Sequence, residues 1–303
     1  MIYYLFIIIA VLLITAQFSF TKIFANQIEQ TTATVMVMLV FTSSVGALLF
    51  LIINGFQIEF SMFSFVMAFA FGTIMVFYFV IGVKVLSLGS LAVYSMFMML
   101  GGMIVPFIYG IIFLNESVTV GKVIGCFVLA GFMIMQTCVQ KSESTDKGTK
   151  KKRILFIFLC LVIFFINGSV SVISKAHQIN AAAISEKSFT FLSCSITVVE
   201  ALLFLVFKRI FSVKSKLYTE IKQIIKTKPV LIMVALGIVM HIGNFLLLIA
   251  AAHIPASIQF PMISGGAIFF SAIVSLLFFK EKIPKLEMFA VIGAFLSTFL
   301  FLF

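Results

Sequence analysis

The chain reads as a series of long apolar runs separated by short polar breaks. A membrane-spanning helix needs about 20 apolar residues at 1.5 Å rise each. Ten runs come close to that length. The first five are Ile2–Thr21, Thr32–Ile53, Phe60–Val83, Leu88–Leu114 and Thr119–Val139. The second five are Ile154–Ser174, Phe189–Phe207, Val230–Ala252, Ala256–Phe279 and Lys285–Phe303. They are too long and too uniform for outer-membrane strands, which alternate over about ten residues. Backbone polar groups in hydrocarbon must be satisfied within the spanning element, so the runs are read as helices. The predicted fold class is an all-α membrane protein with ten transmembrane helices.

The break Lys141–Arg153, KSESTDKGTKKKR, is the longest stretch with no apolar residue. It separates a first five-helix unit, 1–140, from a second, 154–303. The two flanks resemble each other. A shift of 165 residues places Gly72 on Gly237, Tyr94 on Gln259, Gly101 on Gly266 and Glu116 on Glu281. Near the start the shift is 153, which places Lys22 on Lys175. Several matches in order around a central linker predict a duplication. Five helices is an odd number, so the second copy enters the membrane from the opposite side. Such inverted repeats are common in secondary transporters.

Composition agrees with this reading. The chain is 63% hydrophobic and 10% charged, with a mean hydropathy of +1.27. Soluble domains carry about 25% charged residues. The net charge of +11 would suggest nucleic acid in a soluble protein; here it bears on orientation. Of the 21 Lys and Arg residues, all but Lys122, Lys175 and Lys187 fall in or beside the loops that follow helices 1, 3, 5, 7 and 9. Short loops rich in Lys and Arg stay cytoplasmic. The charge pattern therefore predicts cytoplasmic basic loops, 141–153 among them, with both termini outside. The loop Lys208–Lys228 spaces Leu217, Ile221, Ile224 and Ile225 helically among lysines. That suits either a short helix on an anionic membrane surface or a solvated basic loop. No basic residue precedes the first apolar run, so Ile2–Thr21 is read as a retained helix rather than a signal peptide. Cys126, Cys138, Cys160 and Cys194 all lie in apolar runs with no C-x-x-C pair, which predicts neither a metal site nor a disulfide framework.

Several short motifs carry a family resemblance. A Lys closes helix 1 (Lys22) and helix 6 (Lys175). Gly82-Val83-Lys84-Val85-Leu86-Ser87 leads into helix 4. Phe113-Leu114-Asn115-Glu116-Ser117-Val118-Thr119 joins helix 4 to helix 5, and Phe279-Lys280-Glu281-Lys282-Ile283-Pro284 repeats that join in the second half. Together with two sets of five helices, the chain resembles the EamA-type drug/metabolite transporter superfamily over essentially its whole length. The resemblance implies helices 1–4 and 6–9 around a central cavity, with helices 5 and 10 peripheral. It also implies both termini in the cytoplasm, the reverse of the charge pattern, and the charge pattern is the one followed here. Two departures stand out. The Gly usual before the Glu is Asn115 in one copy and Lys280 in the other, and the chain has no Trp, which is frequent in the family's first helix.

No enzyme constellation appears. His177, His241 and His253 are scattered, and no H-E-x-x-H, G-x-S-x-G or phosphate loop is present. What remains is a set of polar residues inside spans. Glu200 is the sharpest, roughly 12 Å deep from its nearest basic flank, eight residues on at Lys208. Intramembrane carboxyls usually face a bundle interior. Thr190, Ser193, Thr197 and Glu200 fall at i, i+3, i+7 and i+10, one polar stripe on helix 7. Glu200 is the candidate for proton or cation coupling, or for pairing with a cationic substrate; a structural Glu bonded to a neighbouring helix is the alternative. Weaker candidates are Asn167 with Ser171 and Ser174 on helix 6, His241 and Asn244 on helix 8, Tyr78 on helix 3 and Gln17 on helix 1. Tyr94 and Gln259 hold matching positions on helices 4 and 9. For each of these alone, hydrogen bonding between helices is the plainer reading.

The expected function is secondary transport of a small metabolite or drug-like solute by alternating access, with no cofactor. Protons or another ion are candidate coupling partners. A membrane-embedded enzyme, or a scaffold or receptor that transports nothing, would also fit the composition.

Overall fold

The computed structural model describes residues 2–88, 91–140, 150–211, 224, 227–280 and 285–302. Ten α-helices account for most of them: α1 (Ile2–Ala25), α2 (Thr32–Ile53), α3 (Met62–Leu88), α4 (Leu91–Leu114), α5 (Val120–Gln140), α6 (Lys150–Gln178), α7 (Glu186–Phe211), α8 (Thr227–His253), α9 (Ala256–Leu277) and α10 (Lys285–Ser297). A 3₁₀ turn, Thr298–Leu302, follows α10. No strand occurs among the described residues. Eight of these helices are long and apolar enough to cross a membrane. Shorter apolar stretches, Val120–Phe132 and Met288–Phe301, lie in α5 and at the last helix. Large apolar side chains such as Leu48, Phe127, Leu203 and Phe289 stand exposed on the outer faces, as a lipid-facing surface requires.

The boundaries differ from the hydrophobic pattern where polar residues extend helices. Lys150–Arg153, read from sequence as the end of the linker, are the first turn of α6. Lys and Arg are good helix formers and continue the helix past its apolar run. The rest of the linker, 141–149, lies outside the described residues, as do most of 208–228 beyond the end of α7. Ile224 is described and is buried against Phe24, Met36 and Met233. The last span ends early in α-geometry. Ser297 Oγ donates to the Ala294 carbonyl and Thr298 Oγ1 to the Phe295 carbonyl, and these i−3 bonds accompany the tighter 3₁₀ turn.

The helices alternate in direction. Residues 54–61, 115–119, 179–185 and 254–255 gather at the end of the bundle that holds the N-terminus. Hydrogen bonds tie these loops together, for example Ser185 N to Glu59 Oε2 at 2.6 Å and Ala256 N to Glu116 Oε1 at 2.7 Å. The opposite end, where α5 finishes and α6 begins, is called the linker end below.

Inside the bundle, α1 packs on α8 and α9, and α6 packs on α3 and α4. Helix α2 crosses α7 and α8, and α7 also packs on α3. Helices α4 and α9 touch, and α5 lies beside α10. Close approaches are made at glycines. A Cβ on Gly101 would strike the Phe164 carbonyl of α6, and one on Gly266 would meet Val11 of α1. Small residues at such crossings let backbones approach and gain van der Waals contact in a membrane.

Candidate functional site

A cavity of about 290 Å³ lies in the middle of the bundle. Its described lining comes from α1, α2, α3, α4, α6, α7, α8 and α9, and none from α5 or α10. Eight of the sequence candidates line it: Gln17, Tyr78, Asn167, Ser193, Thr197, His241, Asn244 and Gln259. The helix 6 stripe arrives as a unit, with Asn167, Ser171 and Ser174 all on the wall. So does the first part of the helix 7 stripe, Thr190, Ser193 and Thr197. Phe71, Phe189, Phe260, Met75 and Met98 supply much of the apolar remainder.

Two candidates stand elsewhere. Glu200, last in the helix 7 stripe, turns from the cavity toward α3. Its Oε1 accepts a 2.7 Å hydrogen bond from Thr73 Oγ1, and its Oε2 lies against Gly72 with no hydrogen-bond partner. Its hydrogen-bond partner is thus on α3. Seven residues separate Glu200 from Ser193, which leaves them within about 20° of one helix face but about 10 Å apart along the axis, so the stripe runs on past the cavity to where α3 packs on α7. Tyr94 is buried among Val85, Phe156, Cys160 and Ile163. Tyr78 packs against this cluster, and its hydroxyl donates to Met98 Sδ at 2.7 Å. Tyr94 therefore supports a cavity residue without lining the cavity.

The other polar side chains are positioned by specific partners. Asn167 Nδ2 donates to the Met98 carbonyl at 2.8 Å, spanning α6 and α4. Gln259 Nε2 donates to the Leu247 carbonyl at 2.8 Å, spanning α9 and α8. The His241 ring lies where a Cβ on Gly46 would stand, and Cys194 Sγ is 3.4 Å from its Nδ1. Glycine at position 46 is what leaves room for that imidazole. Gln259 Oε1 and Ser193 Oγ are buried without a protein partner.

The end nearest the N-terminus is laced together over the cavity. Phe189 lines the cavity and stacks on the His177 ring, with centroids 3.7 Å apart. His177 is fully buried; Ser64 Oγ is 2.9 Å from its Nε2, and Gln178 Nε2 is 3.0 Å from its Nδ1. Ser64 Oγ also accepts from Ile184 N, and Ser61 Oγ donates to the Ala182 carbonyl. The α2–α3 and α6–α7 turns are thereby joined.

Beside this lies a charged clamp at the α8–α9 joint. Pro255, the residue before α9, makes no side-chain cap. Glu116 supplies one from the α4–α5 turn: its Oε1 accepts from Ala256 N at 2.7 Å and its Oε2 from Ser257 N at 2.9 Å. Lys175 Nζ donates to the Ala251 and Ile254 carbonyls at 2.6 and 2.8 Å. An anion sits at a helix N-terminus and a cation at a helix C-terminus, as the two helix dipoles favour. Lys175 and Glu116, which the sequence matches with Lys22 and Glu281, converge on this one joint. Among the described residues no group of three His, Cys, Asp or Glu side chains is placed to hold a metal ion.

No family model matches the chain, and no curated protein matches it. Among solved structures, one described only as a crystal structure of protein is similar, with a TM-score of 0.75 at 12% identity, covering 98% of this chain and 95% of that one. At such low identity the likeness shows a shared fold and nothing of its use.

Proposed function

We propose that the chain is a secondary transporter of the EamA-type drug/metabolite transporter kind, carrying a small solute through the central cavity by alternating access. The observation that carries this reading is the cavity itself. It is placed mid-bundle, is walled by eight helices, and collects polar residues that the sequence scatters over 243 positions, from Gln17 to Gln259.

In this reading, 1–140 and 154–303 are inverted copies joined by a basic linker, and the packing supports it. Exchanging helices 1–5 with 6–10 leaves the set of principal helix contacts the same: α1·α8 becomes α6·α3, α1·α9 becomes α6·α4, and α3·α7 becomes α8·α2. The exchange holds at residue level too. Gly101 meets Phe164, and Gly266 meets Val11; Gly72 meets Thr197 and Glu200, and Gly237 meets Thr42 and Val45. Rocking of two such units about a fixed midplane site is the usual route to alternating access.

The same exchange singles out Glu200, which stands where the first half has Val45. We assign the coupling role to Glu200, one turn of α7 from cavity residue Thr197. Its carboxyl would exchange a proton, or a competing cation, as the bundle opens to each end. The protein would sit in the cell membrane with the basic loops, 141–153 included, in the cytoplasm and both termini outside.

The test is uptake by proteoliposomes. Solute accumulation driven by a pH gradient is expected for the native chain. Glu200→Gln should abolish accumulation while leaving downhill exchange. Unchanged accumulation and pH dependence in that variant would make Glu200 structural, and an absence of any uptake by the native chain across a broad solute panel would count against transport.

A further inference from the structure

Among the described residues that line the cavity there is no Lys, Arg, Asp or Glu. The nearby charges are committed elsewhere. Lys175 donates to two carbonyls at the end of α8 and Glu116 caps α9; Glu200 stands off the wall facing α3, where Thr73 holds its Oε1 and its Oε2 lies against Gly72 without a partner. The polar groups that do face the cavity are amides, hydroxyls and one imidazole, His241, whose Nδ1 is 3.4 Å from Cys194 Sγ. An ion stripped of water needs a countercharge or a full set of hydrogen bonds, or its desolvation goes unrepaid. Among the described residues this wall offers an ion no countercharge.

Two groups on the wall are themselves incomplete. Gln259 is 1% exposed; its Nε2 is spent on Leu247, and its Oε1 accepts nothing. Ser193 is 6% exposed, with Oγ unpartnered. Buried polar atoms nearly always have partners, and those that lack one call for a ligand or other explanation. Gln259 Oε1 can only accept, so its partner must donate an N–H or O–H. Ser193 Oγ can give or take. The volume, about 290 Å³, is at the small end of the ~300–1,000 Å³ range of ligand pockets, and the Phe and Met side chains around it suit an apolar body.

We propose that the solute bound in this cavity is small and carries no net or formal charge, pairing an apolar body with an amide-like polar edge whose N–H donates to Gln259 Oε1. This names the substrate class of the site under the transport reading and rests on that reading for its physiological meaning, but binding can be measured without it.

A charge series on one ring frame tests it. Nicotinamide is uncharged, nicotinate an anion, 1-methylnicotinamide a cation and N-methylnicotinate a zwitterion. Benzamide, benzoate and benzamidinium repeat the comparison without the ring nitrogen. Binding to the purified full chain in detergent would be followed by calorimetry and by the shift in unfolding temperature. The two neutral amides should bind, and each ionised analogue should bind at least tenfold more weakly than its neutral parent. Ser193→Ala and Gln259→Met should each weaken amide binding about tenfold, the cost of leaving one buried partner unpaired. Should Gln259→Met fail to fold, Ser193→Ala alone decides that arm. An ionised analogue binding as tightly as its neutral parent overturns the proposal, and so does failure of both neutral amides to bind at millimolar concentration. A bound amide that proteoliposomes neither take up nor exchange would leave the chemical class standing and count against transport.

Discussion

Asn115 and Lys280 adopt the same unusual backbone, with φ of 51° and 54°. Both close a helix, α4 and α9 respectively, at positions the 165-residue shift superimposes. The left-handed region costs an L-residue about 1–2 kcal/mol, and Asn bears it better than Lys. A glycine would occupy this region without that cost. Lys280→Gly should stabilise the protein by about 0.5–1 kcal/mol, the relief of strain less the entropy glycine adds to the unfolded chain; Asn115→Ala should destabilise it by about 1 kcal/mol. Unfolding midpoints in a single detergent would show both shifts, and equal midpoints for Lys280 and Gly would remove the strain argument. The clamp can be read in the same way. Glu116→Ala strips two caps from α9 and should cost about 2 kcal/mol; Lys175→Met leaves two carbonyls short of a donor and should cost a similar amount. Glu281 lies outside the described residues, and the proposed duplication predicts a comparable loss for Glu281→Ala. A neutral Glu281→Ala beside a damaging Glu116→Ala would mean that the two copies have diverged in how they hold their joints. The residue pairs behind these predictions were visible in the sequence as matches. What was not visible is that Glu116 and Lys175, 59 positions apart, converge on one helix break, because that depends on how two halves dock.

The helices themselves were largely legible. Twenty apolar residues in a row define a span almost without competition, and α2 runs over the expected Thr32–Ile53. Its start is fixed by a reciprocal pair in which Thr31 and Thr34 each accept from the other's backbone N–H, a capping box written with two threonines. The polar stripes on α6 and α8 line the cavity, as expected where a membrane helix turns its few polar groups away from lipid. The stripe on α7 leaves the cavity at its fourth member, Glu200. Glu200 follows α3, and only the identity of the neighbouring helix could have said so. The His177 lacing was also missed, since a lone histidine carries no signal until Phe189, Ser64 and Gln178 surround it. At this scale the account predicts that the lacing opens when solute leaves on that side. His177→Ala should raise the reactivity of a cysteine placed at Ser174 toward reagents added from the N-terminal end, by about tenfold for a barrier lowered by roughly 1.4 kcal/mol. Unchanged reactivity would assign His177 to static packing.

For the whole molecule, charge and packing speak to different properties. The basic excess at the linker end bears on orientation, and helix packing does not reveal it. A cysteine at Ser144 should resist an impermeant thiol reagent in intact cells, while one at Asn54 should label; the reverse pattern would put both termini in the cytoplasm. Where the cavity lies is a matter of packing, and the sequence could say only that polar residues existed to line one. The claim on which the account turns is that this cavity is reached from both sides in turn. Ser171 is on its wall, and Cys126, Cys138, Cys160 and Cys194 can be replaced by serine or alanine to clear the background. In right-side-out and inside-out vesicles, a single cysteine at Ser171 is predicted to react with an impermeant methanethiosulfonate added from either side, and excess solute should shift the two rates in opposite directions. Labelling from one side alone, whatever the solute, would contradict alternating access.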